Sequence, residues 1–478
     1  MNGEMHDPPR VHFCGIGGTA MVAGARLANE AGWEVHGSDN PLYPPTSEMV
    51  AALGIPVAKG YRAKNLDWGP DRVIIGNVLS RGNPEVETVL DRRLHYISLP
   101  EWIKDAVLRT RRSVAICGTH GKTSTTALTA WLLDRAGLDP GYLIGGQPFG
   151  FSHSARLGRP GTPFVIEGDE YDTAFFDKRA KFFHYLPEIA VVTSLEYDHG
   201  DIYRDLEAIE QAFRWMLRQI PSSGRLILCA DSPGAMALNT HAFCPIITYG
   251  FHECADYRIL SVEHHAGMTS FTVHRRGVPW ATFEASLVGR HNLQNAAAAL
   301  AVADVLGASL DGMQDGLRTF PGVRRRMEIF HEAQGIPFID DFAHHPTAVA
   351  ETIAAARQRW PESRLRVLCE PRSNTMVTRQ FEDALVEAFG PADELWIGPI
   401  YRADTIPEAN RLDRAALVKR LAEKGIPAHY DDDVTAIVAE VHRTSCAGDV
   451  VLILSNGAFG GIFDQLKAAF PVEEGGAP

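Results

Sequence analysis

The chain has 478 residues, enough for about three domains, and its 45% apolar content is that of an ordinary globular protein. A formal charge of −13 excludes the basic footprint of a general nucleic-acid binder. Seven cysteines without CxxC pairing, no apolar run near the ~18 residues of a membrane span, and an opening MNGEMHDPPR without a signal-peptide core together predict a cytoplasmic chain with reduced thiols.

The first unit opens with a strand over 11–14, a glycine turn Gly15-Ile-Gly-Gly-Thr-Ala-Met21, and a helix to about 31. A second strand, 33–39, ends in an acid. This is G-x-G-x-x-A with Asp39 about 20 residues on, the dinucleotide fingerprint, and alone it points to a nicotinamide cofactor. Alternation continues through 48–53, 72–75, 84–92 and 95–97, and the unit ends near Thr110.

The second unit begins at Arg111. An apolar, β-favouring run ends in Gly118-Thr-His-Gly-Lys122-Thr123, and 124–136 reads as a helix with Leu128, Trp131, Leu132 and Leu133 on one face. Strand, glycine turn, Lys-Thr and helix make a phosphate loop. Glycines let backbone N–H groups close on phosphate oxygens, and the helix N-terminus adds partial positive charge. Lys122 suits β/γ-phosphates, and the Thr123 hydroxyl suits Mg²⁺. The usual first glycine is replaced by Ile116, with Gly118 serving a shorter loop.

Further strands are expected at 163–166, 189–195 and 226–229, helices at 205–219 and 292–306, and an antiparallel stretch at 257–287. Two acidic clusters follow strand ends: Glu167-Gly-Asp-Glu-Tyr-Asp172 and Glu196-Tyr-Asp-His-Gly-Asp201. Carboxyl ends of strands form the ligand crevice of an open α/β sheet, and oxygen ligands suit hard cations. In Gly289-Arg-His-Asn-Leu-Gln-Asn295, Asn292 either caps a helix or reads adenine through its amide.

The third unit follows Phe320-Pro-Gly-Val-Arg-Arg-Arg-Met327. Strands are expected at 337–340, 365–370, 394–397 and 449–454, with helices at 346–359, 377–389, 413–424 and 432–444. Such alternation predicts a parallel sheet covered on both faces. Polar residues follow its strands three times: Asp340-Asp-Phe-Ala-His-His345, Glu370-Pro-Arg-Ser-Asn-Thr375 and Ser455-Asn-Gly-Ala-Phe-Gly460. Three such segments predict a second crevice, where an Arg suits a substrate carboxylate. The tail 472–478 reads as disordered.

The order GIGGTAM, GTHGKTS, EGDEYD, EYDH, GRHNLQN, GVRRRME and DDFAHHPTA resembles the Mur ligase family across nearly the whole chain. The resemblance implies an α/β, three-domain architecture: a Rossmann-like UDP-binding domain at 1–110, a central P-loop ATPase domain at 111–322, and a Rossmann-like C-terminal domain at 323–478. It implies ATP and Mg²⁺, UDP-N-acetylmuramate as carboxylate substrate, and an acyl-phosphate intermediate attacked by an amine. No protein partner is evident. GSDNPLYPPTS, DEYDTAFFDKR, EPRSNTM and SNGAFGG resemble the branch whose acceptor is the tripeptide L-alanyl-γ-D-glutamyl-meso-diaminopimelate, used in cell-wall recycling. The alternative is the branch that accepts L-alanine, where the third-domain Arg segment reads like HRYTR. Two distant alternatives are a nicotinamide-dependent oxidoreductase and a protein that only senses a UDP-sugar. The phosphate loop counts against the first and the acidic clusters against the second.

By the same resemblance, Lys122, His199 and Arg326 are catalytic. ATP is held by Gly118, Thr119, His120, Gly121, Lys122, Thr123, Ser124, Asn292, Asn295, Arg326 and Asp341. Gly15, Gly17, Gly18, Thr19, Ser38 and Asp39 hold the UDP-sugar. His344, Arg372, Asn374 and Asn456 meet the peptide, and Thr123, Glu167 and His199 hold metal. Several family members carry a carbamylated Lys in the helix after the His motif; here Phe213 stands in its place. Residues 322–326 are the expected hinge.

Overall fold

A computed structural model describes residues 8–43, 46–198, 200–265 and 267–472. Among them, three large sheets follow one another along the chain. The first has five parallel strands in the order Val57–Lys59, Glu34–Asp39, Arg10–Cys14, Arg72–Ile75, Tyr96–Ser98. The order reverses at the central strand Arg10–Cys14, so the glycine turn leaves from the switch point of the sheet. The helix Leu99–Ala106 starts at a capping box of Ser98 and Glu101 and buries Trp102 and Ile103. Those residues join Val11 and Phe13 to Phe164, Phe182 and Phe213 in one continuous core. The first unit is therefore packed on the flank of the second, and Leu157 N–H donates to Glu30 at 2.8 Å across the junction.

The second sheet has ten strands. Its parallel centre runs Ile246–Gly250, Arg225–Cys229, Ile189–Val192, Arg112–Cys117, Pro163–Gly168, Gly141–Leu143. The expected antiparallel stretch is a meander of Tyr257–His265, Met268–Arg275 and Val278–Ala285 on one edge. The helix after the phosphate loop is Lys122–Arg135, two residues earlier than expected, so Lys122 and Thr123 form its first turn. It is also buried more evenly than a one-sided stripe. Thr125, Thr126, Thr129 and Ala130 are as enclosed as Leu128, while Trp131 is only half-buried. The cause is the neighbouring helix Arg290–Val305, whose run of Ala296 to Ala303 lets the two approach closely.

The third sheet has six strands in the order Glu328–Ala333, Ile336–Asp341, Val450–Leu454, Leu365–Cys369, Glu394–Ile397, Ala428–Tyr430. All pairs are parallel except the edge strand Glu328–Ala333, which pairs antiparallel with Ile336–Asp341. The expected helix 377–389 is shorter: a 3₁₀ turn at Arg379–Phe381 leads into Glu382–Phe389, because Ser373 and Thr375 tie the preceding residues into turns. The changeover from second to third unit falls at Arg324–Arg325. Arg324 N–H still donates to Gln147 O in the second unit at 2.9 Å. Arg325, at φ 59°, bonds Asp340 at 3.0 Å and the Ser455 carbonyl at 2.6 Å in the third. Among the described residues, no helix is long and apolar enough to cross a membrane. Residues 473–478 of the expected disordered tail lie outside the described residues.

Candidate active site

The phosphate loop leaves the strand Arg112–Cys117 and is stitched to the segment after the strand Ile189–Val192. Thr119 N–H donates to the Ser194 carbonyl at 3.1 Å and His120 N–H to the Ser194 hydroxyl at 2.9 Å. The Thr119 hydroxyl accepts from Glu196 N–H at 2.9 Å. Gly121 caps the helix at φ 77°, a conformation that disfavours other side chains. A methyl there would also meet the Asn295 Oδ1 at 2.5 Å.

The Lys122 ammonium donates to Glu170 at 2.8 Å and to the Gly118 and Thr119 carbonyls at 2.6 and 3.2 Å. Burial alone would lower its pKa. The carboxylates of Glu170, Asp169 and Glu167 outweigh burial and raise it, so the cation is secure. The Thr123 hydroxyl donates to Glu167 at 3.0 Å, and Gly145 N–H donates to the other Glu167 oxygen at 2.8 Å. Burial pushes the Glu167 pKa up in spite of Lys122 and Arg326. A buried carboxylate beside a hydroxyl, with its charged form disfavoured, is a group that a hard cation would stabilise. The donor set of Thr123 and Glu167 therefore fits Mg²⁺. His199, expected with them, lies outside the described residues.

The third unit covers this site. An Arg326 guanidinium nitrogen stands 3.4 Å from the Thr123 hydroxyl, and its Cζ lies 4.9 Å from the centre of the Phe342 ring. Thr347 donates to Glu196 at 2.8 Å and Thr375 to Asp198 at 2.5 Å. Glu196 also accepts from or pairs with His120 Nε2 at 3.0 Å. Burial would raise the Glu196 pKa, but His120 and Thr347 outweigh it and hold the carboxyl at about 2.

The three polar segments after third-unit strands do meet. The Ser455 hydroxyl donates to Glu370 at 2.5 Å, Ser455 N–H to the Asp341 carbonyl at 3.1 Å, and Arg325 spans Asp340 and the Gly457 carbonyl. His344 Nδ1 lies 2.8 Å from the Phe342 carbonyl and so carries the proton, leaving Nε2 as an acceptor. Burial lowers its pKa to about 4. Arg372 lies beside Glu370 at 3.4 Å, Asn374 is exposed, and the Asn456 Oδ1 is buried without a hydrogen-bond partner.

Other expected residues sit behind the site surface. Asn295 is buried and its amide bonds the Thr125 hydroxyl at 3.0 Å and Asn292 at 3.5 Å. Asn292 does not cap the helix, which begins at Arg290 after Gly289; its amide donates back to the Val288 carbonyl at 2.8 Å. Asp341 accepts from Met327 N–H, Ala343 N–H and the Thr352 hydroxyl, which fixes the changeover segment. Ser124 is half-buried on the first turn. Phe213 faces the core, 5.0 Å from the Phe182 ring centre, and offers no polar group.

In the first unit, Gly18 and Thr19 are exposed at the start of the helix Thr19–Glu30. Gly17 N–H and the Tyr61 hydroxyl donate to Asp39 at 2.7 and 2.8 Å, so this acid braces its own loop. The Gly15 and Ile16 N–H groups donate to the Ser38 carbonyl. The Ser38 hydroxyl is wholly buried against His12 and Glu85. In the sequence, Glu170 and Glu196 stand out only as members of the acidic clusters, and Thr375 only as the end of a polar segment; Thr347 and Tyr401 carry no signal. Thr347 and Thr375 become partners of Glu196 and Asp198 through the docking of the third unit on the second, and Tyr401 meets Arg372 within the third.

Family models match three consecutive stretches: the Mur ligase family catalytic domain at 10–111, the Mur ligase middle domain at 116–303, and the Mur ligase glutamate ligase domain at 325–457. The chain is 39% identical over 96% of its length, and 97% of the relative's, to the UDP-N-acetylmuramate–L-alanyl-γ-D-glutamyl-meso-2,6-diaminoheptandioate ligase of Escherichia coli K12. It is 36% identical, over 96% of the chain and 94% of the relative, to the UDP-N-acetylmuramate–L-alanine ligase of Variovorax paradoxus. The crystal structure of a murein peptide ligase from Psychrobacter arcticus superposes with a TM-score of 0.70 at 34% identity, covering 96% of this chain and 98% of that one.

Proposed function

This chain belongs to the Mur ligase family, and we propose that within it the enzyme joins UDP-N-acetylmuramate to the tripeptide L-alanyl-γ-D-glutamyl-meso-diaminopimelate, with ATP as energy source. Enzymes of this family are ATP-dependent ligases that form amide bonds. One juxtaposition supports the reading most. Lys122 donates to Glu170 and Thr123 to Glu167, the third-unit Arg326 stands 3.4 Å from the Thr123 hydroxyl, and Ser373, next to Arg372, donates to the carbonyl of His344, so the phosphate loop, its carboxylates and the third-unit segments adjoin one another.

The glycine loop 15–19 would take the UDP pyrophosphate at a helix N-terminus, with Ser38 and Asp39 bracing it from behind. The phosphate-loop residues Gly118 to Ser124 would cradle the ATP phosphates, with Asn295 supporting Gly121 and with Asn292 and Asp341 near the nucleotide. Thr123, Glu167 and His199 would hold Mg²⁺, which when bound supplies neutralisation of phosphate charge.

The carboxylate oxygen of UDP-N-acetylmuramate attacks the γ-phosphorus, and the bond to the ADP oxygen breaks. Lys122 and Arg326 stabilise charge on the transferring oxygens. The peptide amine then attacks the acyl carbon, the bond to phosphate oxygen breaks, and the amine loses a proton. His344 fits as acceptor of that proton, because its bond to the Phe342 carbonyl leaves Nε2 the unprotonated ring nitrogen and burial lowers its pKa to about 4. Contacts of Thr347, Thr375 and Arg326 with the second unit close the crevice against water, which would hydrolyse the acyl phosphate.

The setting fits reuse of cell-wall peptide in the cytoplasm. The rival acceptor, L-alanine, needs only a small pocket, whereas the Arg372 segment extends to the exposed Asn374. The test is kcat/KM for tripeptide against alanine, read as phosphate released from ATP with UDP-N-acetylmuramate present. Tripeptide is expected to win; a preference for alanine overturns the acceptor and leaves the ligase.

A further inference from the structure

Arg372 lies three residues beyond the strand Leu365–Cys369, and its guanidinium is stacked. The centre of the Tyr401 ring is 3.8 Å from its Cζ. Gly457 stands just as near. A methyl built on Gly457 would lie 2.3 Å from Nε, 2.4 Å from Cδ and 2.5 Å from Cζ. An in-plane approach to Nε at that distance would leave both carbons farther away, so Gly457 sits over a face of the guanidinium. A Tyr401 ring on that same face, 3.8 Å from Cζ, would crowd the added methyl, yet no Tyr401 atom is among its three nearest neighbours; Gly457 therefore covers the face opposite Tyr401.

Both jaws are anchored. Tyr401 N–H donates to the carbonyl of Pro371, next to Arg372, at 3.0 Å. Gly457 N–H donates to the Ser455 hydroxyl at 2.9 Å, and that hydroxyl donates to Glu370. The Gly457 carbonyl accepts from Arg325 at 3.1 Å. Within the plane, one Arg372 nitrogen faces Glu370 at 3.4 Å. With both faces covered, ligands can reach only the remaining N–H edge. That edge matches a planar carboxylate and little else.

We propose that Tyr401 and Gly457 are positioning residues that clamp Arg372 edge-on and make it the reader of a carboxylate on the acceptor peptide beyond its first residue. This rests on the tripeptide reading above. A loose arginine would lose much of its advantage, because the entropy of orienting the fork would fall on binding. The same clamp explains why position 457 carries no side chain.

The test uses the full-length enzyme and two acceptors: the free tripeptide, and the tripeptide with its distal carboxylates amidated. Gly457→Ala pushes the guanidinium aside, and no left-handed φ at Gly457 opposes alanine. Tyr401→Leu removes the ring face, and Tyr401→Phe keeps it. In the unmodified enzyme, amidation is expected to raise KM about tenfold or more, the range for loss of a charged hydrogen bond. Gly457→Ala and Tyr401→Leu should each raise KM for the free tripeptide about tenfold and abolish the discrimination. KM for ATP and kcat at saturation should hold, and Tyr401→Phe should behave as the unmodified enzyme. Retained KM and discrimination in both disrupting variants overturn the clamp. So does an equal rise in KM for ATP, which marks general structural damage. An unmodified enzyme that ignores the tripeptide overturns the acceptor reading, and the clamp with it, before any variant is made.

Discussion

Lys122 and Glu170 form a buried pair whose two members have separable roles. The ammonium is expected to meet phosphate, while Glu170 holds it in place. Lys122→Ala therefore removes transition-state charge stabilisation and also leaves a buried carboxylate without this partner. Turnover should fall about 10²-fold or more, and the melting temperature should fall too. Adding Glu170→Gln should return much of the lost melting temperature and none of the turnover. Calorimetry and phosphate release on the single and double variants check this; recovered turnover in the double variant would place the phosphate contact elsewhere.

At the scale of elements, periodicity marked the buried parallel strands well. Helix Pro346–Arg359 and strand Glu394–Ile397 have the bounds expected of them, because Pro346 and the capping His345 punctuate one and turns flank the other. The glycine loops were legible as chemistry because strand, turn and helix follow within a few residues. Short strands such as Gly141–Leu143 and Ala428–Tyr430 were not read, since three residues carry no period. The small-residue helix Arg290–Val305 was read as a helix, but not as the support beneath Gly121. That role depends on Asn295 reaching a helix 170 residues away in sequence. Tyr401 gave no signal for the same reason: it meets Arg372 only because two strands of the third sheet are neighbours.

For the whole molecule, Glu196 is one of the groups through which the third unit meets the second, since it accepts from Thr347 as well as pairing with His120. Its carboxyl is held at about 2 against an ordinary 4.5, by His120 first and Thr347 after, with burial opposing. A depressed folded-state pKa gives stability that is full above the unfolded value and is lost as pH falls through the folded one. The stability gap between the unmodified enzyme and Glu196→Gln should thus be constant above pH 4.5 and close as pH falls toward 2. Thermal unfolding across that range reads it. A gap that persists unchanged at the acid end would remove Glu196 from the latch.

At every scale the same reaction is served: a carboxylate activated with ATP is passed to a peptide amine. Oxygen-18 in the carboxylate of UDP-N-acetylmuramate follows the bonds directly. One labelled oxygen is expected in the released phosphate for each amide formed with the tripeptide. Unlabelled phosphate, accompanying amide formation, would contradict it.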